Sequence, residues 1–70
     1  MKIQAVLFDK DKYSHKDAIT WLSNNKYKYI SYRITDNFRR YRLIEPNYKK
    51  YNYKYKKINN NISFIIEINK

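Results

Sequence analysis

The chain has no cysteine and no glycine, and only one proline, one histidine and six acidic residues among 70. Each shortage excludes something. Without cysteine there is neither a disulfide framework nor a thiolate metal site, and a thiol-free chain fits an intracellular setting. His15 is alone, so no His-pair zinc site can form, and a Ser-His-Asp arrangement would have to rest on that one ring. Without glycine, any backbone position that needs a left-handed conformation must be filled by another residue. The apolar run from Met1 to Phe8 is far too short for the core of a signal peptide, and no run approaches the roughly 18 apolar residues of a membrane span. The expected protein is therefore intracellular, with no membrane span and no secretion. Seventy residues allow one domain, near the lower limit at which a single hydrophobic core suffices.

Positive charge, by contrast, is abundant. Sixteen Lys and Arg face six Asp and Glu, a net charge of +10 and a pI near 9.9. Such a balance implies attraction to polyanions, whether nucleic acid or an anionic membrane surface. A plainer cause competes with it. Lys, Ile, Asn and Tyr, with 12, 10, 9 and 9 copies, dominate the chain, against two Ala, four Arg and one Pro. The first group has AT-rich codons and the second mostly GC-rich ones, so an AT-rich genome could produce the same bias.

The apolar pattern predicts an α+β fold, a single small domain of order β-α-β-β-loop-β, with one helix packed on one face of a mostly antiparallel sheet. Lys2 to Phe8 reads as a strand with Gln4, Val6 and Phe8 on one face and Ile3, Ala5 and Leu7 on the other. Because the second face is wholly apolar, the strand is expected inside the sheet. Ser14 offers an N-cap hydroxyl and Asp17 stands three residues on, as in a short capping box. The helix should run from His15 to Asn24, with Ala18, Trp21 and Leu22 as its buried stripe and Ile19 widening it. Asn24 or Asn25 is the best available residue for a left-handed C-terminus.

Tyr27 to Ile34 alternates, Ile30, Tyr32 and Ile34 opposing Tyr29, Ser31 and Arg33. Thr35-Asp36-Asn37 is a turn, and Phe38 to Ile44 is the partner strand, ended by Pro46. Its faces are Arg39, Tyr41 and Leu43 against Phe38, Arg40, Arg42 and Ile44. Residues 47–61 read as a basic Lys/Tyr/Asn loop whose only aliphatic residue is Ile58, and Ile62 to Ile68 as the last strand.

Four features invite a chemical reading. Asp9-Lys10-Asp11 after an apolar strand imitates the opening of a haloacid-dehalogenase-type phosphatase. That chemistry also needs a magnesium site, a phosphate-binding lysine and a much larger sheet, so a solvated loop and a non-enzymatic protein are expected, with no catalytic residue, cofactor or metal. His15 reads as a solvated residue of the first helical turn. Arg40-Tyr41-Arg42 places two guanidiniums on one sheet face while Tyr41 points under the helix. With Arg33 they can form a basic surface for phosphates, or simply the solvated face of an antiparallel sheet. Finally, Tyr48 to Lys57 interleaves four tyrosines with five lysines, the chemistry that holds single strands without sequence preference. A flexible loop shaped by codon bias is the alternative. The candidate nucleic-acid-binding residues are thus Arg33, Arg40 and Arg42 with Lys49, Lys50, Tyr51, Tyr53, Lys54, Tyr55, Lys56 and Lys57.

The order apolar strand, Asp9-Lys-Asp-Lys-Tyr-Ser14, Ala18-x-x-Trp21-Leu22, Lys26-Tyr27-Lys28, Thr35-Asp36-Asn37-Phe38 and Arg40-Tyr41-Arg42 resembles a small domain of tailed bacteriophages. That domain is found in or beside morphogenesis proteins, including prohead-protease-associated ones, and similar stretches occur in large DNA viruses. The resemblance covers residues 2–44 and the final strand. It departs at Asn24-Asn25, where the family has His-Gly, and throughout the basic segment. It implies a viral, non-enzymatic protein, and the chain is expected in the host cytoplasm or virion as a monomer or small homo-oligomer. It also opens a second possibility beside nucleic acid: a virion-structural or protein-interaction module with a viral or host protein as partner.

Overall fold

A computed structural model describes residues 2–70. Along the chain they form β1 (Lys2–Asp9), α1 (His15–Asn24), β2 (Ser31–Ile34), β3 (Phe38–Arg42), β4 (Tyr51–Lys57) and β5 (Ile62–Asn69). The strands make one antiparallel sheet of order β2-β3-β1-β5-β4. The class is α+β as the pattern indicates, but the sheet has five strands.

β1 lies at the centre, where a strand apolar on both faces belongs, and Ala5, Val6 and Phe8 are completely buried. Its alternation breaks once. The register against β5 shifts between Ile3 and Ala5, a bulge that puts one residue out of phase. Gln4 is the residue displaced. Its carbonyl accepts from the N–H groups of Leu43 and Ile44, and its carboxamide donates to the Ile44 carbonyl at 2.8 Å. The expected faces are corrected accordingly: Ile3 packs with Val6 and Phe8 against the core under the helix, and Gln4 reaches Arg40 instead.

α1 has the expected bounds. Ser14 caps it, its Oγ accepting from the Asp17 N–H at 3.1 Å, and Asp17 places negative charge at the positive end of the dipole. Ala18 and Leu22 are buried in a core completed by Val6, Phe8, Tyr41 and Ile62. Trp21 is only partly buried, edge-on to Phe8 at 5.5 Å and stacked on Tyr27 at 6.1 Å. The helix ends differently from expectation. Asn25 keeps a negative φ of −98°, its side chain donating to the Trp21 carbonyl at 2.8 Å. The left-handed residue is Lys26, with φ 63°. Bonds from Lys26 N–H to Ser23 and from Tyr27 N–H to Leu22 close a Schellman motif around it.

β2 and β3 are shorter than the periodicity suggests. Residues 27–30 precede β2 as irregular chain, and Leu43 and Ile44 leave β3 to bond Gln4. The turn between them closes through Thr35 N–H to the Phe38 carbonyl at 2.8 Å, without a left-handed residue at Asp36 or Asn37.

The largest correction concerns the middle of residues 47–61, which is a strand and not a loop. Tyr51–Lys57 pairs with β5 from Tyr51↔Asn69 to Lys57↔Ser63. An Asn turn joins the two strands, Asn59 Oδ1 accepting from the N–H groups of Asn61 and Ile62 at 2.8 and 2.9 Å. No apolar face announces β4 because it is an edge strand, exposed along much of its length, and lysines are a usual means of protecting such an edge. Among the described residues, no helix is long and apolar enough to cross a membrane.

Candidate functional site

The sheet has a helix-covered face and a helix-free face, and the pairing register assigns each strand residue to one of them. Directly paired antiparallel residues share a face. Val6 and Phe8 lie under the helix opposite Phe64 and Ile62, and Tyr32 and Tyr41 pair on that same side. The helix-free face therefore carries Arg33 opposite Arg40, Ser31 opposite Arg42, then Ala5 and Leu7 of β1, Ser63, Ile65 and Glu67 of β5, and Tyr51, Tyr53 and Tyr55 of β4.

Three of the four arginines thus converge on one side of the β2–β3 hairpin. Together with Ser31, Tyr32 and Thr35 they line a concavity of about 240 Å³. Arg40 is the fixed member. Its Nη2 donates to Gln4 Oε1 at 3.4 Å, and Gln4 is itself completely buried and anchored. Its Nε is shielded from solvent and has no hydrogen-bond partner. Arg42 meets Glu45 at 3.6 Å, the single ion pair among the described residues. No carboxylate pairs with Arg33 or Arg40 among them. Leu7 is only 8% exposed although no helix covers it. Arg39, the fourth arginine, is on the other side, its Nε donating to the Tyr13 carbonyl at 2.8 Å.

The other half of the face is aromatic. Tyr53 donates to Glu67 Oε1 at 3.0 Å and accepts from the Asn47 N–H at 2.7 Å. Tyr55 and Ser63 share a hydroxyl–hydroxyl bond of 2.7 Å. Desolvation, then the hydrogen bond and charge of Glu67, hold the Tyr53 phenol above its ordinary value despite the opposing Asn47 bond. Glu67 and Asp9 are the acidic residues of this face. Glu67 is buried beneath the Tyr53 hydroxyl, and Asp9 is occupied at the sheet end, its Oδ1 accepting from the Asp11 N–H at 3.0 Å.

The eleven candidate residues consequently separate into groups. Arg33, Arg40 and Arg42 come together, and Tyr51, Tyr53 and Tyr55 share their face. Lys57 pairs with Ser63 and joins them. Lys54 and Lys56 pair with Ile66 and Phe64 and point to the opposite side. Lys49 and Lys50 lie in the turn before β4, with the Lys50 ammonium 5.5 Å over the Tyr51 ring. Alternation along Tyr51–Lys57 contains this division, since an extended segment lines up Tyr51, Tyr53 and Tyr55 on one side, and the pairing with β5 is what extends it.

His15 is not the solvated residue expected. Its Nδ1 is 2.8 Å from the Tyr41 hydroxyl, and its ring stacks on Tyr32 at 4.5 Å. Tyr41 is fully buried, and desolvation, opposed by Arg39 and reinforced by Tyr29 and Tyr32, raises its phenol above the usual 10.0. This cluster lies on the helix side, across the sheet from Arg33, Arg40 and Arg42.

Comparison with known proteins yields no match: no family model fits the chain, and neither a curated protein nor a solved structure is matched by it.

Proposed function

We propose that this chain is a non-enzymatic binding module that holds nucleic acid by its phosphate backbone, without sequence preference, on the helix-free face of the sheet. The supporting observation is the convergence of Arg33, Arg40 and Arg42 on one concave surface with a single acidic partner, Glu45, at its rim. Guanidiniums bind phosphate oxygens in pairs, and such charge-assisted bonds are the strong ones. Backbone contacts fix position without reading sequence. The test is a fluorescence-anisotropy titration with labelled oligonucleotides at low salt. Changing Arg33 and Arg42 to Gln should weaken binding at least tenfold, about 1.4 kcal/mol, with an unchanged thermal melt. Unchanged affinity would remove the arginine face from the mechanism.

One feature favours a second reading. The free edge β2 exposes Tyr32 and Ile34, and Ile30 beside them, each to about half of its surface. Unpaired edges flanked by apolar side chains accept an added strand from a partner chain, in keeping with the assembly role that the phage-domain resemblance implies. A pull-down with and without nuclease separates the readings. Partners lost on nuclease treatment support nucleic acid, and partners retained support a viral or host protein.

A further inference from the structure

Building on the nucleic-acid reading, we infer that the ligand is a single strand, laid across the sheet from the arginine concavity to the tyrosines of β4, with at least one base stacked on Tyr55. The two halves of the face are not adjacent. β3 and β4 are separated by β1 and β5, about 14 Å at the usual strand spacing of roughly 4.8 Å. Between them Ala5, Leu7 and Ser63 are buried and Ile65 is partly covered. A ligand touching both halves must carry phosphates at one end and flat apolar groups at the other.

The tyrosines are already arranged for that task. Tyr55 belongs to the edge strand, yet its hydroxyl is bonded to Ser63 on β5, and the Tyr53 hydroxyl is bonded to Glu67 on the same strand. A phenol tethered at its tip to the neighbouring strand lies across the sheet and turns a ring face outward. Tyr55 remains 50% exposed in that posture. Holding the ring in advance avoids part of the ordering cost of binding. A duplex cannot use such a ring, because its bases are stacked inside it and only phosphates and groove edges reach the protein. Bases of a single strand are free to stack on aromatic side chains. Of the β4 lysines, Lys54 and Lys56 do not enter this contact, since they project from the other side, and Lys57 alone shares the face.

The experiment compares four probes by anisotropy at one salt concentration: a short oligothymidine, an abasic strand of the same length, a duplex of the same length, and a hairpin. The single strand should bind at least ~10-fold more tightly than the other three, within the range of one stacked base. Tyr55→Leu should remove about that factor for the single strand and leave the duplex unchanged. Tyr55→Phe, which keeps the ring and loses the tether, should retain most of it. The pair Lys54→Gln and Lys56→Gln should have little effect on the preference. Equal affinity for all four probes, with Tyr55→Leu silent and the arginine changes still effective, would overturn the inference while leaving the phosphate reading intact. No binding to any probe would overturn both.

Discussion

Trp21 links the helix to the edge of the core, and its truncation reports on that packing. Its indole meets Phe8 edge-on at 5.5 Å, stacks on Tyr27 at 6.1 Å and approaches Phe64 at 6.4 Å. Removing a fully buried large aromatic costs about 3–5 kcal/mol. Trp21 retains some exposure, so Trp21→Ala should cost about 2–3 kcal/mol on the same scale. A core of this size supplies roughly 3–5 kcal/mol in total, and each kcal/mol moves the melt of so small a domain by about 4–8 °C. The expected outcome is a midpoint lowered by roughly 10–20 °C in thermal denaturation followed by far-UV circular dichroism. Trp21→Phe, which keeps an aromatic edge against Phe8, should lose less than half as much. A Trp21→Ala melt within about 3 °C of the parent, less than one kcal/mol on that scale, would refute the packing role and make Trp21 a surface ring.

Lys26→Gly should raise stability by about 1 kcal/mol, because a side chain at φ 63° carries a left-handed penalty that glycine avoids; a lowered urea midpoint would contradict this. Tyr41 predicts an alkaline transition. Its folded-state phenol lies above 10.0, so unfolded chains ionise first, and the stability held by the neutral phenol is intact below pH 10.0 and lost as pH rises through the folded value. Urea midpoints should be level on approach to pH 10.0 and then fall, with Tyr41→Phe flattening the decline. That substitution should itself cost about 0.5–1.5 kcal/mol at neutral pH through the lost bond to His15.

The sequence revealed those parts of the fold where one local signal was unopposed. Ser14 and Asp17 marked the helix start, the Ala18 and Leu22 spacing its buried side, and the two-sided apolar β1 its central place. The Arg40-x-Arg42 alternation placed two guanidiniums on one face without any knowledge of the sheet order. What stayed hidden depends on pairing. Gln4 bulges because Leu43 and Ile44 bond its carbonyl, and nothing in Ile3-Gln4-Ala5 announces that. β4 has no apolar face because β5 alone supports it. His15 finds Tyr41 across 26 residues, a contact that no local pattern encodes.

The most direct test of the arginine face is the salt dependence of binding to a single-stranded oligonucleotide. For single strands, log Kobs falls against log salt with a slope near −0.7 per phosphate neutralised. Arg33, Arg40, Arg42 and Lys57 share the face, so three to four contacts give an expected slope of about −2 to −3. Replacing Arg33 and Arg42 by Gln should bring it to about −1. A slope beyond about −5, relieved by removing Lys54 and Lys56 and not by the arginine changes, would mean that diffuse lysine charge binds the polymer, and would contradict the site proposed for this face.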